Sequence, residues 1–224
     1  MPTFAAPTRI AVLVSGGGTN LQALNDAIAA DPGFGGEVVV VGADRDDAGG
    51  LDRARTAGIP TVVQRPHDHA DRATFERALL ADLDPFGVDL VVLAGFMRIL
   101  TGTFLSRWPD RVLNTHPSLL PAFRGAHAVR EALSYGVKVT GCTVHLVDEE
   151  VDHGPIIAQE AVAVRDDDSE ATLHDRVRAV EHRLLPACVA AMCQGRLQLD
   201  GRHVRLTPPR RAAPAPPDPA EDRP

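Results

Sequence analysis

Two apolar runs in this chain do not alternate: residues 38–41 read VVVV and residues 90–93 read LVVL. A strand with no polar side must be covered on both faces, as in a parallel sheet with helices above and below it. Further β-rich runs occur at Ile10–Val14, Thr61–Gln64, Val112–Asn114 and Val139–Val147, and the LVVL run extends over Val88–Ala94. Helix-length segments separate them at Leu21–Ala30, Leu51–Ala57, Arg72–Leu83 and Val129–Tyr135. Gly58 and Gly136 follow two of these segments directly, where a helix end takes left-handed backbone. This rhythm predicts right-handed βαβ units in an α/β fold: an open, mainly parallel twisted sheet with helices on both faces.

The last third of the chain reads differently. Ser169 is placed to cap a long helix running towards Gly195, with Leu173, Val177, Val180, Leu184, Cys188 and Ala191 forming one apolar stripe. Pro186 is expected to kink or divide it. RLQLDGRHVRL then places Asp200-Gly201 between two alternating stretches, a type I′ hairpin signal. Residues 208–224 hold seven of the 18 prolines and no large apolar side chain, so a disordered tail is expected over 207–224. The expected organisation is a short tail over 1–7, a single domain over 8–206, and that Pro-rich tail.

Charge and composition narrow the function. Lys and Arg number 23 against 30 Asp and Glu, a net charge of −7, and only seven Phe, one Tyr and one Trp are available to stack on bases. General nucleic-acid binding is therefore not expected. No apolar run is long enough to span a membrane, and the N-terminus lacks a basic segment ahead of its first strand, so a cytoplasmic location is expected. Cys142, Cys188 and Cys193 are odd in number without C-x-x-C spacing, which suggests neither disulfides nor a zinc site.

Three polar elements fall at expected strand ends, the ligand-binding edge of such a sheet. The first is Ser15-Gly16-Gly17-Gly18-Thr19-Asn20, between a strand and a helix. Leu21 stands where a dinucleotide fingerprint needs a small residue, and no Gly-Lys-Ser/Thr is present. A glycine turn with no ligand is the plain reading; a monophosphate cradle, with donors from Thr19 and Asn20, is the functional one. The second element is Asn114-Thr115-His116-Pro117, pairing an amide donor with a group that titrates near neutrality. The third is the acidic loop Asp148-Glu149-Glu150-Val151-Asp152. Most of it reads as solvated surface, but Asp152 lies just before a Gly-Pro turn and an apolar strand expected at Ile156–Ala158, and could orient His116.

Five segments carry a resemblance: SGGGTNLQAL, LAGFMRIL, NTHPSLLPAFRGAHA, GCTVHLVDEEVDHGPII and VEHRLLP, in that order. Over about residues 8–206 the chain resembles the phosphoribosylglycinamide formyltransferases, within the folate-dependent formyltransferases. The resemblance implies formyl transfer from 10-formyltetrahydrofolate, as co-substrate, to the amine of 5-phosphoribosylglycinamide in purine biosynthesis, without a metal. It implies Asn114, His116 and Asp152 as catalytic residues. Gly17, Gly18, Thr19, Asn20 and Glu181 would bind the ribonucleotide. Arg72, Met97, Arg98, Ile99, Leu100, Val147, Asp148 and Asp152 would bind folate. Partners would be these small molecules alone, with no nucleic acid or membrane, and a monomer or weak homodimer. Three positions depart from the family pattern: Gly17 for asparagine, Arg124 for proline, and His153 for a small residue, the last placed to perturb Asp152.

Rival readings keep part of this picture. A formyltetrahydrofolate hydrolase would use the same trio with water as acceptor, and a methionyl-tRNA formyltransferase would deliver to a charged tRNA. Both families carry an extra domain for which the length leaves no room. A dinucleotide-binding module, with Asp44 as its ribose-binding acid, has the wrong glycine spacing. A pure interaction domain leaves the three polar elements without a purpose. Cys142 reads as strand core. His67 and His69 read as solvated, and His127, His174, His182 and His203 as surface or helix-packing residues.

Overall fold

A computed structural model describes residues 4–208. Seven strands form one sheet: β1 (Thr8–Val14), β2 (Gly36–Ala43), β3 (Thr61–Val63), β4 (Leu90–Leu93), β5 (Val112–His116), β6 (Val139–Leu146) and β7 (Ile156–Ala163). Their spatial order is β3-β2-β1-β4-β5-β6-β7. The first five run parallel, while β6 is antiparallel to both β5 and β7. β1 lies between β2 and β4, so the strand order reverses there, and the loops leaving β1 and β4 diverge around a crevice.

The non-alternating strands both lie inside the sheet, β4 at its centre and β2 second from one edge. Leu90, Val91, Val92 and Leu93 of β4 are all buried. They divide between two cores: Leu90 and Val92 face a cluster with α1 (Thr19–Ala30), α2 (Gly49–Thr56) and α6 (Glu170–Cys193). Val91 and Leu93 face a second cluster with α3 (Arg72–Leu83) and α4 (Gly102–Leu105). α5 (Ala128–Tyr135) ends at Gly136, whose φ is 82°.

Three expectations need correction. α6 is capped by Ser169 in a capping box but continues unbroken through Pro186. Leu184 is only partly buried while Leu185, Val189 and Met192 are fully so, because the buried face shifts along a 24-residue helix enclosed by two clusters. β7 extends to Ala163, five residues beyond the apolar run at 156–158, because its distal part alternates as an antiparallel strand can. In the hairpin of β8 (Leu197–Asp200) and β9 (His203–Leu206), Asp200 pairs with His203. The turn is therefore Gly201-Arg202, with positive φ at Gly201 alone; a type I′ turn would need it at both positions. Thr207 closes the hairpin base, its N–H donating to the Arg196 carbonyl at 2.8 Å. The expected tail falls mostly on residues 209–224, outside the described part of the chain.

Candidate active site

β5 changes character along its length. Val112, Asn114 and His116 share a face by the two-residue period. Val112 fills the second core, whereas Asn114 and His116 lie beyond it at the sheet's carboxyl edge. The antiparallel neighbour β6 sets His145 opposite Asn114 and Thr143 opposite His116. Thr143 anchors the chain beyond β5: its hydroxyl donates to the Ser118 carbonyl at 2.7 Å and accepts from the Leu120 N–H at 3.1 Å. The segment between Pro117 and Ala122, which also carries Pro121, is thus fixed to the sheet.

Asp152 reaches this face from the loop between β6 and β7. Its backbone is left-handed (φ 47°), a conformation that aspartate tolerates better than most side chains. Two positions later, Gly154 leaves no room for a side chain: a Cβ there would lie 1.9 Å from the Leu146 carbonyl oxygen. This close crossing fixes the loop's return to the sheet. The Asp152 carboxylate receives the Gly125 N–H at 2.8 Å and the Asn114 amide at 3.4 Å. It lies 3.3 Å from His116 Nδ1 and 3.7 Å from His145 Nε2. Burial raises its pKa, but the neighbouring His145 and His116 rings and the Gly125 N–H outweigh that, leaving the group below its ordinary 3.8. Asn114, His116 and Asp152 are therefore brought together as expected.

The histidines are oriented by carbonyls. His116 Nε2 is 2.7 Å from the Phe123 carbonyl, which can only accept, so that nitrogen carries a proton. His145 Nδ1 likewise donates to the Leu146 carbonyl at 2.7 Å. In the neutral ring this leaves Nε2 to accept from Asn114 Nδ2 at 3.2 Å. His145 therefore belongs to the site although nothing in its sequence context selects it. The His153 ring turns to another acid: its Nδ1 donates to Asp148 at 2.7 Å.

The glycine loop lies on the same edge of the sheet. Gly18 caps α1 with φ 69°, no side-chain cap bond and no acid in the first turn, so the helix presents free N–H groups and a positive end. A Cβ on Gly18 would fall 2.4 Å from the Gly50 Cα, which restricts this position sterically as well. Arg53 braces the loop through the Gly17 carbonyl at 2.8 Å. Gly17 is exposed and Thr19 half-buried, but Asn20 is turned inwards: its amide donates to Glu181 of α6 at 3.1 Å, and both residues are buried. The Asn20 Oδ1 is left without a partner. Asn20 and Glu181 thus form one polar pair beneath the loop, and the amide is not a free donor in the cradle.

The 95–101 segment forms the adjoining wall. Ser15 joins it to the glycine loop, its N–H donating to the Gly95 carbonyl at 3.1 Å and its hydroxyl accepting from the Met97 N–H at 2.8 Å. Met97 and Ile99 are exposed apolar side chains, at 62% and 50%, while Leu100 anchors in the second core. Arg98 pairs with the buried Asp44 at 2.5 Å, so Asp44 is already engaged by a guanidinium. Glu76 of α3, fully buried, accepts from the Thr101 N–H at 2.8 Å and its hydroxyl at 2.7 Å, fixing the far end of the wall. A carboxylate on a helix's buried stripe was its legible signal. On the other side, Val147 donates to the Val112 carbonyl at 2.8 Å, and Glu149 Oε1 lies 2.9 Å from where a Gly102 Cβ would be. The two loops therefore adjoin. Arg72 is exposed at the start of α3 and makes no side-chain hydrogen bond among the described residues.

Among the described residues, no group of three or more His, Cys, Asp or Glu is arranged to hold a metal ion. Cys142 is buried beneath Thr115, and burial pushes its thiol up to about 12, which leaves no thiolate near neutral pH.

Similarity to known proteins agrees with this geometry. The formyl transferase family model matches residues 8–189. The phosphoribosylglycinamide formyltransferase of Mycobacterium tuberculosis is 49% identical over 198 residues, 88% of this chain and 91% of that protein. The human trifunctional purine biosynthetic protein adenosine-3 is 47% identical over 191 residues; these cover 85% of this chain but only 19% of that longer protein. The crystal structure of glycinamide ribonucleotide transformylase 1 from Symbiobacterium toebii superposes with a TM-score of 0.86 at 49% identity, covering 89% of this chain and 93% of that one. The chain belongs to the formyl transferase family, and within it to the phosphoribosylglycinamide formyltransferases.

Proposed function

We propose that the chain transfers the formyl group of 10-formyltetrahydrofolate to the amine of 5-phosphoribosylglycinamide. The carrying observation is the shared sheet edge: the Asn114–His116–Asp152 cluster and the uncapped, glycine-led end of α1 both open there. The helix end suits a phosphate, and the buried Glu181 carboxylate beneath it suits the polar glycinamide side of the same molecule. Met97, Ile99 and Val151, three of the exposed large apolar side chains, suit a flat apolar folate body between the two adjoining loops. Arg72 and Arg98 suit its acidic end.

In this reading the neutral amine attacks the formyl carbon directly, so no serine or cysteine nucleophile is needed. Negative charge develops on the formyl oxygen; Asn114 stabilises it by turning its long 3.4 Å contact with Asp152 to that oxygen, and the His116 imidazolium adds its positive charge. His116 Nε2–H is held by Phe123, so the second proton of that imidazolium sits on Nδ1, beside the Asp152 carboxylate. The carboxylate passes the proton from the amine towards the departing folate nitrogen. His145 keeps the Asn114 amide turned into the site. We assign the protein to the cytoplasm, acting on these small molecules as a monomer or weak homodimer.

The hydrolase reading makes water the acceptor and has no use for the glycine loop or Glu181. Following tetrahydrofolate release with and without the ribonucleotide separates the two. Release that requires the ribonucleotide is expected; equal release without it contradicts transfer.

A further inference from the structure

The loop carrying Asp152 holds four carboxylates within five residues: Asp148, Glu149, Glu150 and Asp152. Such a loop repels itself. Among the described residues no lysine or arginine forms an ion pair with any of the four. One cation does reach the loop, and it comes from the C-terminal hairpin. Arg202, in the two-residue turn between β8 and β9, donates from Nη2 to the His153 carbonyl. Its Nη1 lies 3.4 and 3.3 Å from the two His153 ring nitrogens, so the guanidinium lies against the ring. The ring in turn donates from Nδ1 to Asp148 and lies 3.8 Å from Glu150.

Arg202 therefore grips the residue directly after Asp152 by both backbone and side chain, where Asp152 holds left-handed backbone. We propose that Arg202 is a positioning residue for formyl transfer. From the hairpin tip it holds the Asp152-His153 turn, and with it the loop wall assigned to folate, in the conformation that points Asp152 at His116 and Gly125. His153 is the coupling piece, joining Arg202 to the acidic side chains. The inference rests on the catalytic reading of Asp152 given above, and Arg202 touches neither substrate.

Arg202→Ala and Arg202→Lys, compared with the wild-type full-length chain, test it in two ways. Backbone amide exchange needs no activity: in Arg202→Ala, residues 149–154 should exchange faster while the β1 and β4 amides do not change. In steady-state kinetics, the formyl-folate KM should rise about 3- to 10-fold, the scale of one ordinary hydrogen bond lost from the loop. The ribonucleotide KM should stay within about twofold. Arg202→Lys keeps a donor for the carbonyl but not the flat guanidinium against the ring, so it should fall between the two. Unchanged loop exchange, or an equal rise in both KM values, overturns the proposal. A wild-type chain that transfers no formyl group would instead refute the functional reading, and the exchange result would still decide the grip itself.

Discussion

Oδ2 of Asp152 lies 3.3 Å from Nδ1 of His116, while the opposite ring nitrogen donates to the Phe123 carbonyl at 2.7 Å. The same Oδ2 also receives the Gly125 N–H at 2.8 Å. The ring and the carboxylate are thus both tied to segment 123–125 as well as to each other. Removing His116, or Asn114 beside it, should leave the fold intact and slow the chemistry. His116→Ala or Asn114→Ala should lower kcat by about 100- to 1,000-fold, the usual loss for one oxyanion donor. Both KM values should move little; a variant with near-wild-type kcat would remove that residue from the mechanism.

The lowered pKa of Asp152 makes stability depend on pH. Folding favours the ionised carboxylate, so its contribution is complete above the ordinary carboxylate range and disappears as pH falls through the depressed value. Asp152→Asn lacks that contribution at every pH. The stability gap between wild type and variant, from urea unfolding, should therefore be full near about pH 6 and close as pH falls below about 4. A gap that widens on acidification would show the sign to be wrong.

Gly18 is constrained twice, by its positive φ and by the 2.4 Å approach to Gly50 that any Cβ would make. Gly18→Ala should cost about 1–3 kcal/mol through strain and overpacking. Because the displaced backbone belongs to the proposed phosphate cradle, the ribonucleotide KM should rise much more than the formyl-folate KM. Equal changes in the two would detach the loop from the ribonucleotide.

Asp44 is buried, with one carboxylate oxygen bonded to Arg98 and the other without a partner. Arg98→Ala would leave the whole carboxylate unpaired. A fully buried broken pair costs about 3–5 kcal/mol; here the half-exposed arginine position admits water, so a loss of about 1–3 kcal/mol is expected. Adding Asp44→Asn to that variant should recover part of the loss. No recovery would mean that the Arg98 effect does not run through Asp44.

The sheet is legible because VVVV and LVVL have no polar side to expose, and Arg72–Leu83 matches α3 at both ends. Asn114 and His116 stand out as polar residues closing an apolar strand, and Asp152 as the acid just before a sharp turn. His145 does not, because a histidine within TGCTVHL resembles any alternating strand position; only the register of β6 on β5 sets it beside Asn114. The Phe123 carbonyl and the Gly125 N–H are backbone groups, which no residue type announces. Asn20 is on the loop as expected but points inwards, since its partner Glu181 is 161 residues away in sequence. The turn at Gly201 is displaced by one residue for a similar reason: strand pairing, not the Asp-Gly dipeptide, decides it.

Transfer at the Asn114–His116–Asp152 cluster means that the formyl carbon itself reaches the ribonucleotide amine. Supplying 10-formyltetrahydrofolate labelled with ¹³C in the formyl group, together with 5-phosphoribosylglycinamide, lets NMR follow that carbon. The mechanism places the label in an amide of the formylated ribonucleotide with the wild-type chain, and leaves unreacted donor with Asp152→Asn. Label appearing as free formate, or in the ribonucleotide at wild-type rate with Asp152→Asn, would contradict it.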